Sequence, residues 1–183
     1  MYYVIVLIAK IYLKIFHNYK VIGKENIPEG PCVMCPNHYD SLDPFIVAGS
    51  YKSMLYFLAK KEIKNNIILG AISKALGCII FVDRGKPDIA AIKASLKALK
   101  AGEKLVIFPE GHRYKKFDVA NGKAGATTIA MRAKCPIAPI SIKREWKGII
   151  RTITCTIHKP IYAEDKDDKE FLTVVMEKIG EGL

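Results

Sequence analysis

The stretch "CIIFVDRGKPDIAAIKASLKALKAGEKLVIFPEG", residues 78–111, decides the fold. It opens on an apolar run of strand length, "CIIFV" (78–82), and passes through the polar cluster "DRGKPD". A helical pattern follows from about 87 to 101, in which Ile89, Ile92, Leu96 and Leu99 make an apolar stripe. A second apolar run, "KLVIF" (104–108), then leads to "PEGHR". The same succession of strand, polar cluster and helix recurs on either side. "PCVMCP" (31–36) leads to "NHYDSLD" and the helix-like "PFIVAGSY", and "MLYFLA" (54–59) leads to Lys60, Lys61 and then "IILGAISKALG". After a helix expected near 122–134, "PIAPISI" and "RTITCTIH" read as two more strands and "DKEFLTVVMEKIG" as a closing helix. Short buried strands alternating with helices imply an α/β fold with a mixed, largely parallel sheet flanked by helices. At 183 residues, half of them hydrophobic, the chain suffices for one sizeable core, and a single domain is expected.

In open α/β sheets ligands bind beyond the carboxyl ends of the strands. Four successive strands here end in His38 with Asp43, in Lys60 with Lys61, in Arg84, and in Glu110 with Arg113. These clusters would converge on one sheet edge as a candidate site. In "PNHYDSLDP" (36–44), His38 and Asp43 are five residues apart and meet only if the chain turns. Asp43 before Pro44 supplies such a turn as a helix N-cap. A carboxylate fixed there also suits an imidazole that must be held in one tautomer to act as a base, so capping and catalysis remain open together. Arg84 and Arg113 have the planar fork that suits phosphate oxygens, although surface ion pairing explains either one alone. Gly111 would let a ligand approach the backbone closely. Lys123 in "NGKAGA" sits at an expected helix start, which suits an anion and equally fits a simple turn, without the spacing of a nucleotide P-loop.

The net charge of +11 implies an anionic partner such as a phosphorylated substrate, an acidic carrier protein, a membrane surface or nucleic acid. A nucleic-acid module would interleave aromatics with arginines or show a recognisable motif, and neither is present, so no nucleic-acid partner is expected. Cys32, Cys35 and His38 have a zinc-like spacing. The two cysteines lie inside an apolar strand, however, where a free thiol is simply a small hydrophobe, and no metal site is expected. Five cysteines argue for free thiols in a reducing compartment. The N-terminus, "MYYVIVLIAKIYLKIFHNYK", has an apolar run too short to span a bilayer and no small-residue cleavage site after it. On a helix, Lys10, Lys14 and His17 form a narrow polar stripe against a broad apolar face. This predicts an amphipathic helix over residues 1–20 lying in a membrane interface, with the remaining domain over 21–183. A helix docked on the protein's own core is the alternative.

Four blocks occur in order: Asn37, His38 and Asp43 as N-H-x4-D; Phe81 and Arg84 as F-x-x-R; Phe108 to Arg113 as F-P-E-G-x-R; and the proline-rich "CPIAPISI" (135–142). In these the chain resembles the glycerolipid acyltransferases, typified by 1-acyl-sn-glycerol-3-phosphate acyltransferase, from about Val21 to Ile142. The resemblance implies that His38, oriented by Asp43, takes the proton of a glycerol hydroxyl, which attacks an acyl thioester without a metal, a cofactor or a covalent acyl-enzyme. It further implies that Arg84, Glu110, Gly111 and Arg113 bind the phosphoglycerol part of lysophosphatidate. The implied donor is acyl-CoA or acyl carrier protein, and the implied location is the cytoplasmic face of a membrane rich in anionic lipid. Two departures stand out. Asp40 replaces the usual Ser or Thr, adding an acid near His38, and His112 replaces the usual Thr. Apolar residues around Ile67 to Leu76 are candidates for an acyl-chain groove, against plain core packing.

Overall fold

The six apolar runs, together with residues 17–22, become the seven strands of one sheet, and the periodic segments become helices on both of its faces. In chain order these are α1 (Tyr2–Phe16), β1 (His17–Ile22), β2 (Cys32–Pro36), α2 (Asp43–Ser50), β3 (Tyr56–Lys60) and α3 (Ile67–Leu76). They continue with β4 (Ile79–Val82), α4 (Ile89–Lys100), β5 (Lys104–Val106), α5 (Gly125–Ala133), β6 (Ile137–Lys147), β7 (Ile150–Ile157) and α6 (Asp168–Gly180). The computed structural model describes every residue except 66, 84–87 and 165, together with all side chains but those at 67–69, 72, 75, 147 and 150.

The strand order is β1-β7-β6-β2-β5-β3-β4. From β6 to β4 all neighbours pair in parallel, β7 runs antiparallel to β6, and β1 is parallel to β7. The sheet is therefore mixed and largely parallel, as its alternation with helices predicts. β2 is buried at every position because its two faces are both covered. Val33 and Cys35 pack with Leu99 of α4, Ile129 of α5 and Phe171 and Val175 of α6. Cys32 and Met34 face the opposite side, against Leu13 of α1 and Ile46 and Val47 of α2. The two thiols thus point to opposite faces, and the zinc-like spacing does not assemble a ligand set with His38. All five cysteines are buried and free.

Three details differ from the sequence expectation. The N-terminal helix ends at Phe16, and residues 17–22 form a strand. That segment alternates partly buried and exposed residues, and the outer edge of β7 offers it an unpaired ladder, so strand pairing ends the helix early. α1 also docks on the protein, burying Tyr2, Val6 and Leu13, yet it leaves Tyr3, Val4, Leu7, Ile8, Ile11, Ile15 and Phe16 exposed. In α4 the buried residues are Ala91, Ser95, Ala98 and Leu99, while Ile89 is 65% exposed. Small side chains let this helix sit close to the sheet, and the Ser95 hydroxyl donates to the Ala91 carbonyl at 2.8 Å, which satisfies it in the interior.

Candidate active site

The parallel strands β2, β5, β3 and β4 lie side by side and release their chains at one edge, where the segments carrying His38 with Asp43, Lys60 with Lys61, and Glu110 with Arg113 begin. Their order sets the distances. β2 and β5 are neighbours, which brings His38 and Glu110 into contact, whereas β3 lies two strand spacings from β2, about 10 Å.

Asn37, buried at the end of β2, fixes the chain before it turns. Its Nδ2 donates to the Ile142 carbonyl at 3.2 Å, and its Oδ1 accepts from the Ile142 N–H at 2.7 Å, extending the β2–β6 ladder through a side chain. The chain then folds back so that His38 Nδ1 lies 2.9 Å from Asp43 Oδ2. The same oxygen accepts the N–H of Tyr39 at 2.6 Å and of Asp40 at 2.9 Å. Asp43 therefore does not cap α2. It is the first residue of that helix, and its carboxylate faces back onto the turn preceding it. With three donors on Oδ2, the turn and the imidazole are locked by one atom.

The other oxygen, Oδ1, is bonded by Arg144 Nη2 from β6. The Asp43 side chain is fully buried and that of Arg144 is 8% exposed. Burial pushes the Asp43 carboxyl upward, but the His38 hydrogen bond, the Arg144 charge and the Asp40 and Tyr39 amides outweigh it and hold it below the usual carboxylate range. An ionised Asp43 requires the proton of neutral His38 on Nδ1, which leaves Nε2 as an acceptor. The imidazole stacks on Phe108 with ring centroids 4.1 Å apart and is 17% exposed at its side chain, so it is held in plane yet reachable.

Glu110 is placed differently from the expected acceptor-binding role. It is 1% exposed, and its Oε2 accepts the backbone N–H of His38 at 2.5 Å. Burial pushes its carboxyl up to about 7, with the Asp43 charge adding to the rise and the His38 N–H opposing it. Its visible work is to hold the His38 backbone. The 110–114 segment closes on the same residue from the other side, because the Tyr114 N–H donates to the His38 carbonyl at 2.9 Å. Arg113, next to Tyr114, is exposed and has no ion-pair partner among the described residues. Gly111 takes φ +71°, and a Cβ there would stand 3.2 Å from Lys123 Cδ, so the glycine makes room for that lysine to lie across the loop. Lys123 Nζ reaches His112 Nδ1 at 3.4 Å. Lys123 and His112 thus lie together on the loop whose backbone closes on His38, with Arg113 exposed in the same loop.

Lys60 and Lys61 are more remote. Lys60 ends β3 and pairs with Glu62 at 3.1 Å, and Lys61 is exposed beside it. Arg84 lies outside the described residues, as do the side chains of Ile67, Ile68 and Leu69 in the suggested acyl-chain groove. Asp40, expected to act on His38, is turned elsewhere. Its Oδ1 accepts the Leu42 N–H at 2.7 Å, while Oδ2 lies 3.6 Å from Arg144 Nε and 3.8 Å from Arg151. The Tyr39 ring completes this cluster, with Lys115 Nζ 4.2 Å and the Arg144 guanidinium 5.1 Å from its centroid. Sequence reasoning missed Arg144 and Arg151. Arg151 opens a run read only as a strand, and Arg144 falls just beyond the run read as the strand before it.

The chain matches the family model described as Acyltransferase over residues 18–143. It is 31% identical over 156 residues to a 1-acyl-sn-glycerol-3-phosphate acyltransferase of Pseudomonas aeruginosa, covering 80% of this chain and 60% of that one. To the enzyme of the same name from Bacillus subtilis it is 34% identical over 141 residues, covering 76% and 69%. It is 30% identical over 180 residues to a chloroplastic relative from Brassica napus, of which it covers 51%. The chain thus spans about half to seven-tenths of the length of these relatives. Its fold is that of the 1-acyl-sn-glycerophosphate acyltransferase PlsC from Thermotoga maritima, with a TM-score of 0.76 at 23% identity, covering 99% of this chain and 79% of that one.

Proposed function

The chain belongs to the acyltransferase family, and from that premise we propose that it moves a fatty acyl group from an acyl thioester to the free hydroxyl of a 1-acyl-sn-glycerol 3-phosphate, giving phosphatidate. One observation carries the reading: an imidazole held through Nδ1 by a fully buried carboxylate, with Nε2 left to accept a proton at a partly open edge. Nε2 takes the proton of the acceptor hydroxyl as its oxygen attacks the thioester carbonyl. The tetrahedral intermediate then collapses, and the thiolate leaves with the proton carried by the imidazolium. Asp43 stabilises that cation and prevents ring rotation, and Phe108 fixes the ring plane. Neither a metal, a cofactor nor a covalent acyl-enzyme enters this scheme.

Arg113 and Lys123 are the groups suited to the phosphate of lysophosphatidate, and Gly111 opens the loop between them. Lys60 and Lys61, at the end of β3 farther along the edge, extend the positive surface toward the donor, coenzyme A or acyl carrier protein, and the F-x-x-R block assigns Arg84 to the acceptor's phosphate with Arg113. Among the described residues no helix is long and apolar enough to cross a membrane. The exposed apolar face of α1, with Lys14 beside it, supports peripheral or monotopic attachment to anionic lipid, and the cytoplasmic face is the proposed location of this attachment. Residues 1–16 then act as the membrane-contact segment, and the acyltransferase domain begins with β1 rather than at residue 21.

The direct test offers labelled acyl-CoA and acyl-loaded carrier protein to the protein with a panel of glycerol phosphates and lysolipids. Labelled phosphatidate from lysophosphatidate is the expected product. Acylation of glycerol 3-phosphate or of another lysophospholipid alone would reassign the acceptor, and no acylated product from any pair would reject the proposal.

A further inference from the structure

The hairpin joining β6 and β7 carries an apolar tip that acyl transfer does not use. Trp146 is 72% exposed and Ile149 95% exposed, and Gly148 between them takes φ +65° to make the turn. The ladder between β2 and β6 ends at Pro36 and Ile140, so the hairpin beyond Ile142 rises past the edge at which His38 opens. β6 and β7 pair without a bulge from Ile140–Ile157 to Lys147–Ile150. Strand alternation therefore sends Ile142, Arg144 and Trp146 to one side of the sheet. That side is the one carrying α1 and α2, since Ile142 packs in the core with Leu13 and Ile46, and Arg144 bonds Asp43 at the start of α2.

The register also brings the end of α1 close to the tip. His17 pairs with Arg151, which pairs with Trp146, so Phe16 enters the sheet beside the hairpin. Phe16 is 62% exposed and Ile15 68% exposed. Two apolar surfaces, one on α1 and one on the hairpin, thus meet on the same side of the sheet at the edge of the site. Lys14 lies beside the first, and Arg151 faces Trp146 across the ladder of the second.

We propose that the β6–β7 hairpin tip is a second lipid-contact element, entering the interface of an anionic bilayer beside α1 and setting the mouth of the acyl-transfer site against the membrane. This rests on the membrane-surface reading above. A net charge of +11 disfavours a second copy of the chain on this patch and favours an anionic surface. An exposed indole is a side chain that partitions to the boundary between headgroups and acyl chains.

Trp146 is the only tryptophan in the chain, so its emission reports the hairpin alone. The full chain is mixed with vesicles of phosphatidylglycerol and phosphatidylcholine, and sedimentation is read alongside fluorescence. The expected result is co-sedimentation, a shift of emission to shorter wavelength, and quenching by lipids brominated on the acyl chain. A variant with Ile149→Ser and Trp146→Ser, checked for unchanged thermal unfolding, should bind the vesicles roughly tenfold more weakly, given the apolar area removed. Its turnover of a soluble short-chain lysophosphatidate should stay unchanged. Co-sedimentation with Trp146 still emitting as in water overturns the hairpin proposal and leaves membrane attachment through α1 standing. Absence of co-sedimentation overturns both. An emission shift that appears on concentrating the protein without lipid, together with a dimer by light scattering, assigns the tip to self-association and overturns the proposal.

Discussion

Replacing Arg144 with methionine isolates the ion pair beneath the imidazole. Arg144 is 8% exposed at its side chain, and its partner Asp43 is fully buried. Removing one member of a buried pair costs ~3–5 kcal/mol because the other charge is left in a poorly solvated place. Asp43 keeps three donors, from His38 Nδ1 and the amides of Tyr39 and Asp40, and Asp40 keeps Arg151 at 3.8 Å, so the lower end applies. About 3 kcal/mol corresponds to roughly 6–12 °C in unfolding temperature for a domain of this size. The pH response has a definite sign. The folded Asp43 carboxyl lies below its unfolded value, so its contribution to stability is present above about pH 4 and lost as pH falls through the folded value. Without Arg144 that folded value rises, and the acid-unfolding midpoint moves to higher pH. Thermal and acid unfolding followed by circular dichroism measure both effects. Adding Asp43→Asn to Arg144→Met should recover part of the lost stability, because no charge then remains unpaired. A drop below about 2 °C, with the acid midpoint unmoved, would refute a buried pair at this position.

Glu110 titrates in the opposite sense. Its folded value of about 7 lies above the unfolded value near 4.5, so its favourable contribution is complete below about pH 4.5 and disappears as pH rises toward 7. Glu110→Gln should flatten the stability profile across that window, by a few kcal/mol at most, and parallel profiles for variant and parent would remove the buried acid from the account. Arg113→Ala should raise the apparent KM for the phosphorylated acceptor by tenfold or more, on the order of one charged hydrogen bond, while leaving the donor's KM alone. An effect on the donor only would move Arg113 to the thioester's side of the site. The buried Cys32 and Cys155 thiols, both pushed up to about 12 by burial, should resist thiol reagents in the folded protein and react on unfolding. Rapid labelling of either in the native state would contradict the packing of β2 and β7.

Much of this architecture is legible along the chain because each strand and its following helix are local. Runs such as "CIIFV" and "KLVIF" announce strands by their length and helices by their spacing, and the pairing of His38 with Asp43 needs only a turn. What is not legible depends on distant pairing. β1 hides inside an apolar N-terminus and becomes a strand only because β7, more than 120 residues later, offers an edge to pair with. Arg144 reaches Asp43 across 101 residues, through strand register that no local pattern encodes. Glu110 sits at the expected loop, but burial and the neighbouring His38 N–H turn its carboxylate inward. Asp43 before Pro44 has the composition of a cap, yet the tighter turn at Tyr39 and Asp40 claims its oxygen instead.

The central claim is that the His38 imidazole, poised by Asp43, performs the proton transfer of acyl transfer. It is tested most directly by comparing His38→Ala with the parent protein for labelled phosphatidate formed from lysophosphatidate and an acyl thioester, at matched folding and vesicle binding. The account predicts a loss of roughly 10²- to 10⁴-fold in turnover with the unfolding transition retained. Turnover within about tenfold of the parent would contradict it.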